Sequence, residues 1–101
     1  MRALLEASQQ IVEALANSNL KAVATAATPA GSQAIITMDF RLKTKLPIDF
    51  KQLGFATHYA FDDIARMANE GKPAADIQRK LADTMQNCIA CHASFQLPQQ
   101  H

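Results

Sequence analysis

Two thiols and an imidazole fall within five residues near the end of this chain, in the run Cys88-Ile89-Ala90-Cys91-His92. Cys-x-x-Cys-His is the spacing of covalent haem attachment. Each thiol forms a thioether with one of the macrocycle's two vinyl groups, and the adjacent histidine reaches the iron. The run therefore predicts Cys88 and Cys91 as the two links, His92 as the proximal iron ligand, and one haem c as cofactor. Three other readings compete. A redox-active Cys-x-x-Cys belongs at a helix start in a βαβ setting, whereas this one lies near a helix end. A structural zinc needs four ligands, and one cysteine pair with His92 falls short. A five-residue match can also arise by chance. All three are weakened because the chain has two cysteines and the motif uses both.

The motif needs a helix to aim it. Cys88 and His92 are four residues apart and share a helical face. Ile77, Leu81, Met85 and Phe95 fall on the same stripe. That helix is predicted over 73–96, opening at Pro73 as its first helical residue and stopping before Pro98. Ahead of it, Phe50, Leu53, Thr57, Ala60, Phe61, Ile64, Met67 and Ala68 keep helical period over 48–70. Asp49 suits the first turn of that helix and Gly71 its C′ position.

Leu4, Leu5, Ile11, Val12 and Leu15 mark a first helix over 2–16. Asn17-Ser18-Asn19 is a tight turn with a ready N-cap, and a short Ala-rich helix over 19–27 turns Leu20, Val23 and Ala24 inward. The stretch 28–47 is irregular. A structureless connection of that length is unusual in a small domain, so a short helix is predicted around Ser32 to Phe40. A lone strand there would have nothing to pair with. The sum is an all-α fold, an up-and-down four-helix bundle with haem near the end of the last helix.

At 101 residues the whole chain, 1–101, makes one domain. Apolar residues are 49% and charged residues 19%, a globular composition. Alanine is abundant beside only 3 glycines and 4 prolines, which favours helix. A formal net charge of +1 offers no basic field for nucleic acid. No run approaches the ~20 apolar residues of a membrane span. Amphipathic helix begins at once, with no basic start and apolar core before it, so no signal peptide is expected within this chain.

The haem-binding stretch Met85-Gln86-Asn87-Cys88-Ile89-Ala90-Cys91-His92-Ala93-Ser94-Phe95 resembles that of the cytochrome c′ family, the class II c-type cytochromes. Met1-Arg2-Ala3-Leu4-Leu5 is similar to the start of that family's first helix. Leu53-Gly54, His58 and Phe61-Asp62 are similar to the opening of its third. The resemblance covers most of the chain, but the first two helices here are short and the connection before Pro47 is irregular. It implies a four-helix bundle exported to the bacterial periplasm, often a homodimer packed through its early helices. It also implies two ways of using the iron's second axial position. Left vacant or apolar, it binds nitric oxide or carbon monoxide. Filled by a methionine of the first helix, it makes an electron carrier.

Several residues compete for that position. Met1 stands just before helix one, at the same end of an up-and-down bundle as the finish of helix four, and resembles the family's ligating methionine. His58 should pack beside residue 85, with Asp62 four residues on to orient its ring by a hydrogen bond. The competing reading of His58 is a half-exposed side chain on the flank of its helix. Met38 could reach the haem end, whereas Met67 and Met85 read as core. A vacant position bordered by Leu4, Leu5 or Phe55 is the remaining alternative.

Arg2 and Lys51 are candidate partners for the haem propionates, and Phe55 for packing against the ring. Arg41, Lys43 and Lys45 read as solvated surface, with propionate pairing as the lesser alternative. Methionine opposite histidine raises the potential and blocks gases. The expectation is electron transfer to a redox partner protein through one haem, with gas binding as the rival. No acid–base pair is placed over the iron, so an enzyme is not expected.

Overall fold

Residues 2–94, the part that this computed structural model describes, form six α-helices and no strand. They are α1 (Arg2–Ala16), α2 (Leu20–Ala27), α3 (Ser32–Ile36), α4 (Phe40–Lys45), α5 (Ile48–Asn69) and α6 (Ala74–Ser94), with a 3₁₀ turn over Thr28–Ala30. The chain is all-helical, and no described helix is long and apolar enough to cross a membrane.

Two tight reversals set the path. After α1, the Asn19 amide donates to the Ala14 carbonyl at 2.9 Å and the Ser18 amide to Leu15 at 3.0 Å, with Ser18 at φ 54°. These are the paired bonds of a Schellman closure. Asn19 then caps α2, its side chain accepting from the Ala22 amide at 3.1 Å. The same closure ends α5: the Lys72 amide reaches Met67 at 3.0 Å, the Gly71 amide reaches Ala68 at 3.1 Å, and Gly71 sits at φ 73°. Pro73 stands one residue before α6 rather than inside it, its carbonyl accepting from the Ile77 amide at 3.2 Å.

The core is a ring in which α1 meets α2, α2 meets α5, α5 meets α6, and α6 returns to α1. Ile11, Val23, Phe61, Ile64 and Ile77 are its fully buried large side chains. Alanines 7, 14, 24, 27, 65 and 68 fill the seams between them, and so small a side chain lets helix axes approach closely. These residues crowd toward the end where α5 turns into α6. The other end differs because α2 stops at Ala27, well short of the ~33 Å spanned by the 22 residues of α5.

Three expectations need correction. On α1, Leu5 and Val12 are 69% and 53% exposed, while the buried stripe is Ala7, Ser8, Ile11 and Ala14. Ser8 can face inward because its hydroxyl donates to the Leu4 carbonyl at 2.9 Å. On α6 the stripe steps from Leu81 to Thr84, not to Met85, which is 41% exposed. Thr84 is likewise satisfied, donating to Lys80 at 2.7 Å. The segment 28–47 holds a 3₁₀ turn and two short helices where one had been expected, because Asp39 starts α4 afresh by accepting from the Arg41 amide at 2.8 Å.

Candidate functional site

Because α2 ends early, the first turns of α5 lack a full helical neighbour, and Met38, Lys43 and Leu46 face them across a gap. Between these parts is an apolar cleft. Met38, Lys43 and Leu46 form one wall, Phe50, Lys51, Leu53, Gly54, Phe55, Thr57 and His58 of α5 another. Leu4 of α1 and Cys88 of α6 complete it. Its interior holds about 160 Å³, and the empty space including its open mouth is about 740 Å³. The enclosed space is below the ~300–1,000 Å³ range of small-molecule and cofactor sites, and the larger figure includes open solvent. A large ligand would therefore fill the mouth, not the interior alone.

The stripe Ile77, Leu81, Thr84 runs on into Cys88, which is half-buried. That continuation carries the first thiol of the motif from the core into the cleft. His92 lies one turn further on the same helix and is exposed, outside the cleft wall. The side chain of Cys91 lies outside the described residues, as does that of Arg2. Met1 and Phe95 lie outside them altogether.

The lining fits a large apolar group with anionic edges. Leu4, Leu46, Leu53, two phenylalanines and Met38 supply contact area, and a thiol stands in the wall. Lys43 and Lys51 are each partly buried, an arrangement in which the stems cover apolar surface while the ammonium groups reach water. Cations so placed could pair with carboxylates at the mouth.

His58 reaches the cleft with a fixed ring. Its Nδ1 lies 2.6 Å from the carbonyl oxygen of Ala30. A carbonyl only accepts, so Nδ1 carries the proton and a neutral ring keeps its lone pair on Nε2. Asp62 does not orient this ring, contrary to the reading from sequence. Its Oδ1 accepts instead from the Ser32 amide at 3.0 Å. Between these two bonds Gly31 presses on Asp62 so tightly that a Cβ would overlap the carboxylate. His58 and Asp62, one turn apart on α5, thus both grip residues 30–32.

Of the residues singled out by sequence, the fold brings Cys88, His58, Lys51, Phe55, Met38 and Leu4 to one cleft. Leu5 points away and Phe61 belongs to the core. Lys43, read from sequence as solvated surface, lines the cleft, as do Leu46 and Leu53. The sequence signal beside Lys43 and Leu46 is Pro47, which separates α4 from α5. Set against known proteins, the chain matches no family model, no curated protein and no solved structure.

Proposed function

We propose that this chain is a monohaem c-type cytochrome that transfers electrons. The observation that carries the reading is the placing of Cys88, first residue of Cys-x-x-Cys-His, in the wall of the apolar cleft. In this reading α1, α2, α5 and α6 make an up-and-down four-helix bundle with haem at its open end. The Cys88 and Cys91 thiols each add across a vinyl double bond, sulfur to one carbon and hydrogen to the other, with no net oxidation. His92, four residues beyond Cys88 on the same helix, would be the proximal ligand; its exposed side chain, outside the cleft wall, would have to turn toward the cleft to reach the iron. Phe50, Phe55 and Leu53 exclude water from the ring faces. Lys43 and Lys51 hold the propionates, and Arg2 is a further candidate for that role. A bound haem supplies a one-electron iron couple. This chain's residues set its burial, axial field and exposed edge, which are the levers on its potential. Attachment of this kind, together with the resemblance to the cytochrome c′ family, supports a periplasmic location.

The second reading is a five-coordinate haem that takes nitric oxide or carbon monoxide, favoured by the wholly apolar Leu4, Phe50 and Phe55 in the cleft. One preparation tests both. Protein matured with haem is treated with acid-acetone, and the pigment must stay with the chain; extractable haem refutes covalent attachment. The ferrous spectrum is then recorded with and without carbon monoxide. A low-spin spectrum that carbon monoxide barely alters supports electron transfer, and high-spin bands with ready uptake favour the gas-binding reading.

A further inference from the structure

We infer that His58 is the second axial ligand, binding iron through Nε2 opposite His92, so that the iron carries two imidazoles. The inference rests on the proposal that haem occupies the cleft, and it deepens that proposal.

Two features of the fold converge on this residue. The first is the tautomer. A histidine that ligates iron must present an unprotonated nitrogen, and metal-binding histidines commonly donate their other N–H to a backbone carbonyl or carboxylate. Ala30 provides that acceptor at 2.6 Å from Nδ1. In the same tautomer Nε2 cannot donate, so neutral His58 is suited to hold the metal and unsuited to hydrogen-bond a bound gas.

The second feature is the mounting behind the ring. The acceptor, Ala30, is 5% exposed and forms part of the 3₁₀ turn packed on α5. The next two residues are fastened to the same helix, Ser32 by its amide to Asp62 and Gly31 by its close approach to that carboxylate. The ring is therefore set from mid-helix on one side and from a buried turn on the other. Met38, the other sequence candidate for that position that lines the cleft, stands in a bend between two short helices, with no hydrogen bond to its sulfur among the described residues. Of the two, His58 alone is held ready.

The test uses holoprotein matured with haem, read by ferric electron paramagnetic resonance, by optical spectra and by carbon monoxide titration. Wild type should give a low-spin bis-imidazole signature. His58→Gly should turn high-spin, and added imidazole should restore the low-spin spectrum. If His58 occupies iron about 90% of the time, the variant's apparent affinity for carbon monoxide should rise about tenfold. Met38→Leu alters the cleft wall and removes its sulfur, yet should keep the low-spin bis-imidazole signature. A low-spin spectrum that survives His58→Gly overturns the inference, as does a high-spin wild type. Far-ultraviolet circular dichroism of each variant checks the fold, and His58→Met, which should stay low-spin with a sulfur-ligated signature, covers a glycine variant that does not fold. Haem that stays covalent while these signatures fail overturns the ligand alone. Haem that is absent or extractable overturns the cytochrome reading with it.

Discussion

Substituting Gly31 by alanine sets one methyl group against the carboxylate that holds the turn before α3. The backbone at Gly31, φ −80° and ψ −149°, does not lie in the left-handed region, so any cost comes from contact and not from conformation. The built Cβ overlaps Asp62 Oδ1, and the cheapest relief swings that carboxylate away from the Ser32 amide. A hydrogen bond to a charged group contributes about 1.5–3 kcal/mol, so Gly31→Ala should cost about 2 kcal/mol. Asp62→Ala removes the same bond directly and should cost about the same.

In the double variant the obstruction is gone, and the nearest remaining atom among those close to the new methyl is the Asp62 amide nitrogen at 3.3 Å, a tight but tolerable contact. The pair should then cost about 2 kcal/mol together, not 4, a coupling of about 2 kcal/mol. For a domain of this size each kcal/mol lowers Tm by roughly 4–8 °C, so each single variant and the double should all melt about 10 °C below wild type. Thermal and urea unfolding followed by circular dichroism measures all four corners of the cycle. Additive losses would show that the carboxylate and the glycine do not share the bond described, and the support inferred for His58 would go with it.

Ser18→Gly should stabilise the protein by up to about 1 kcal/mol, since φ 54° at the end of α1 costs serine a conformation that glycine adopts freely; urea midpoints check this. Asn19→Ala should cost about 1 kcal/mol by removing the cap on the Ala22 amide, read in the same titration. Cys88→Ala should leave haem attached through Cys91 by a single thioether, seen as a shifted ferrous pyridine haemochrome band, whereas the double Cys88→Ala, Cys91→Ala variant should lose covalent haem on a denaturing gel.

Much of this architecture is legible in sequence, for definite reasons. Asn17-Ser18-Asn19 and Gly71 announce their turns because few residues tolerate those backbone angles or cap a helix. The α5 stripe from Thr57 to Ala68 follows its period because α5 is buried along that length. Where the reading went astray, a polar residue had taken an inward place that its own helix satisfied. Ser8 and Thr84 donate to carbonyls four residues back, so hydropathy ranks Leu5 and Met85 as core in their stead. The cleft was harder to foresee. Its thiol, His58, Lys51 and Phe55 were visible as candidates, yet Lys43 and Leu46 enter through a reversal that no periodicity encodes. The bond from His58 to Ala30 spans 28 residues, and nothing local at either end signals it.

The early end of α2 also divides the molecule into two mechanical regimes. Toward the turn from α5 to α6, alanine seams and five buried large side chains leave little slack, so opening there requires global unfolding. Toward the cleft, the short helices α3 and α4 carry Ile36 and Phe40 at 75% exposure and, among the described side chains, bury none fully. Amide protons of α3 and α4 should thus exchange through local opening while those of mid-α5 wait for the whole chain. A domain built this way keeps its closed half shut while the half that holds the Cys88 thiol in its cleft wall opens on its own.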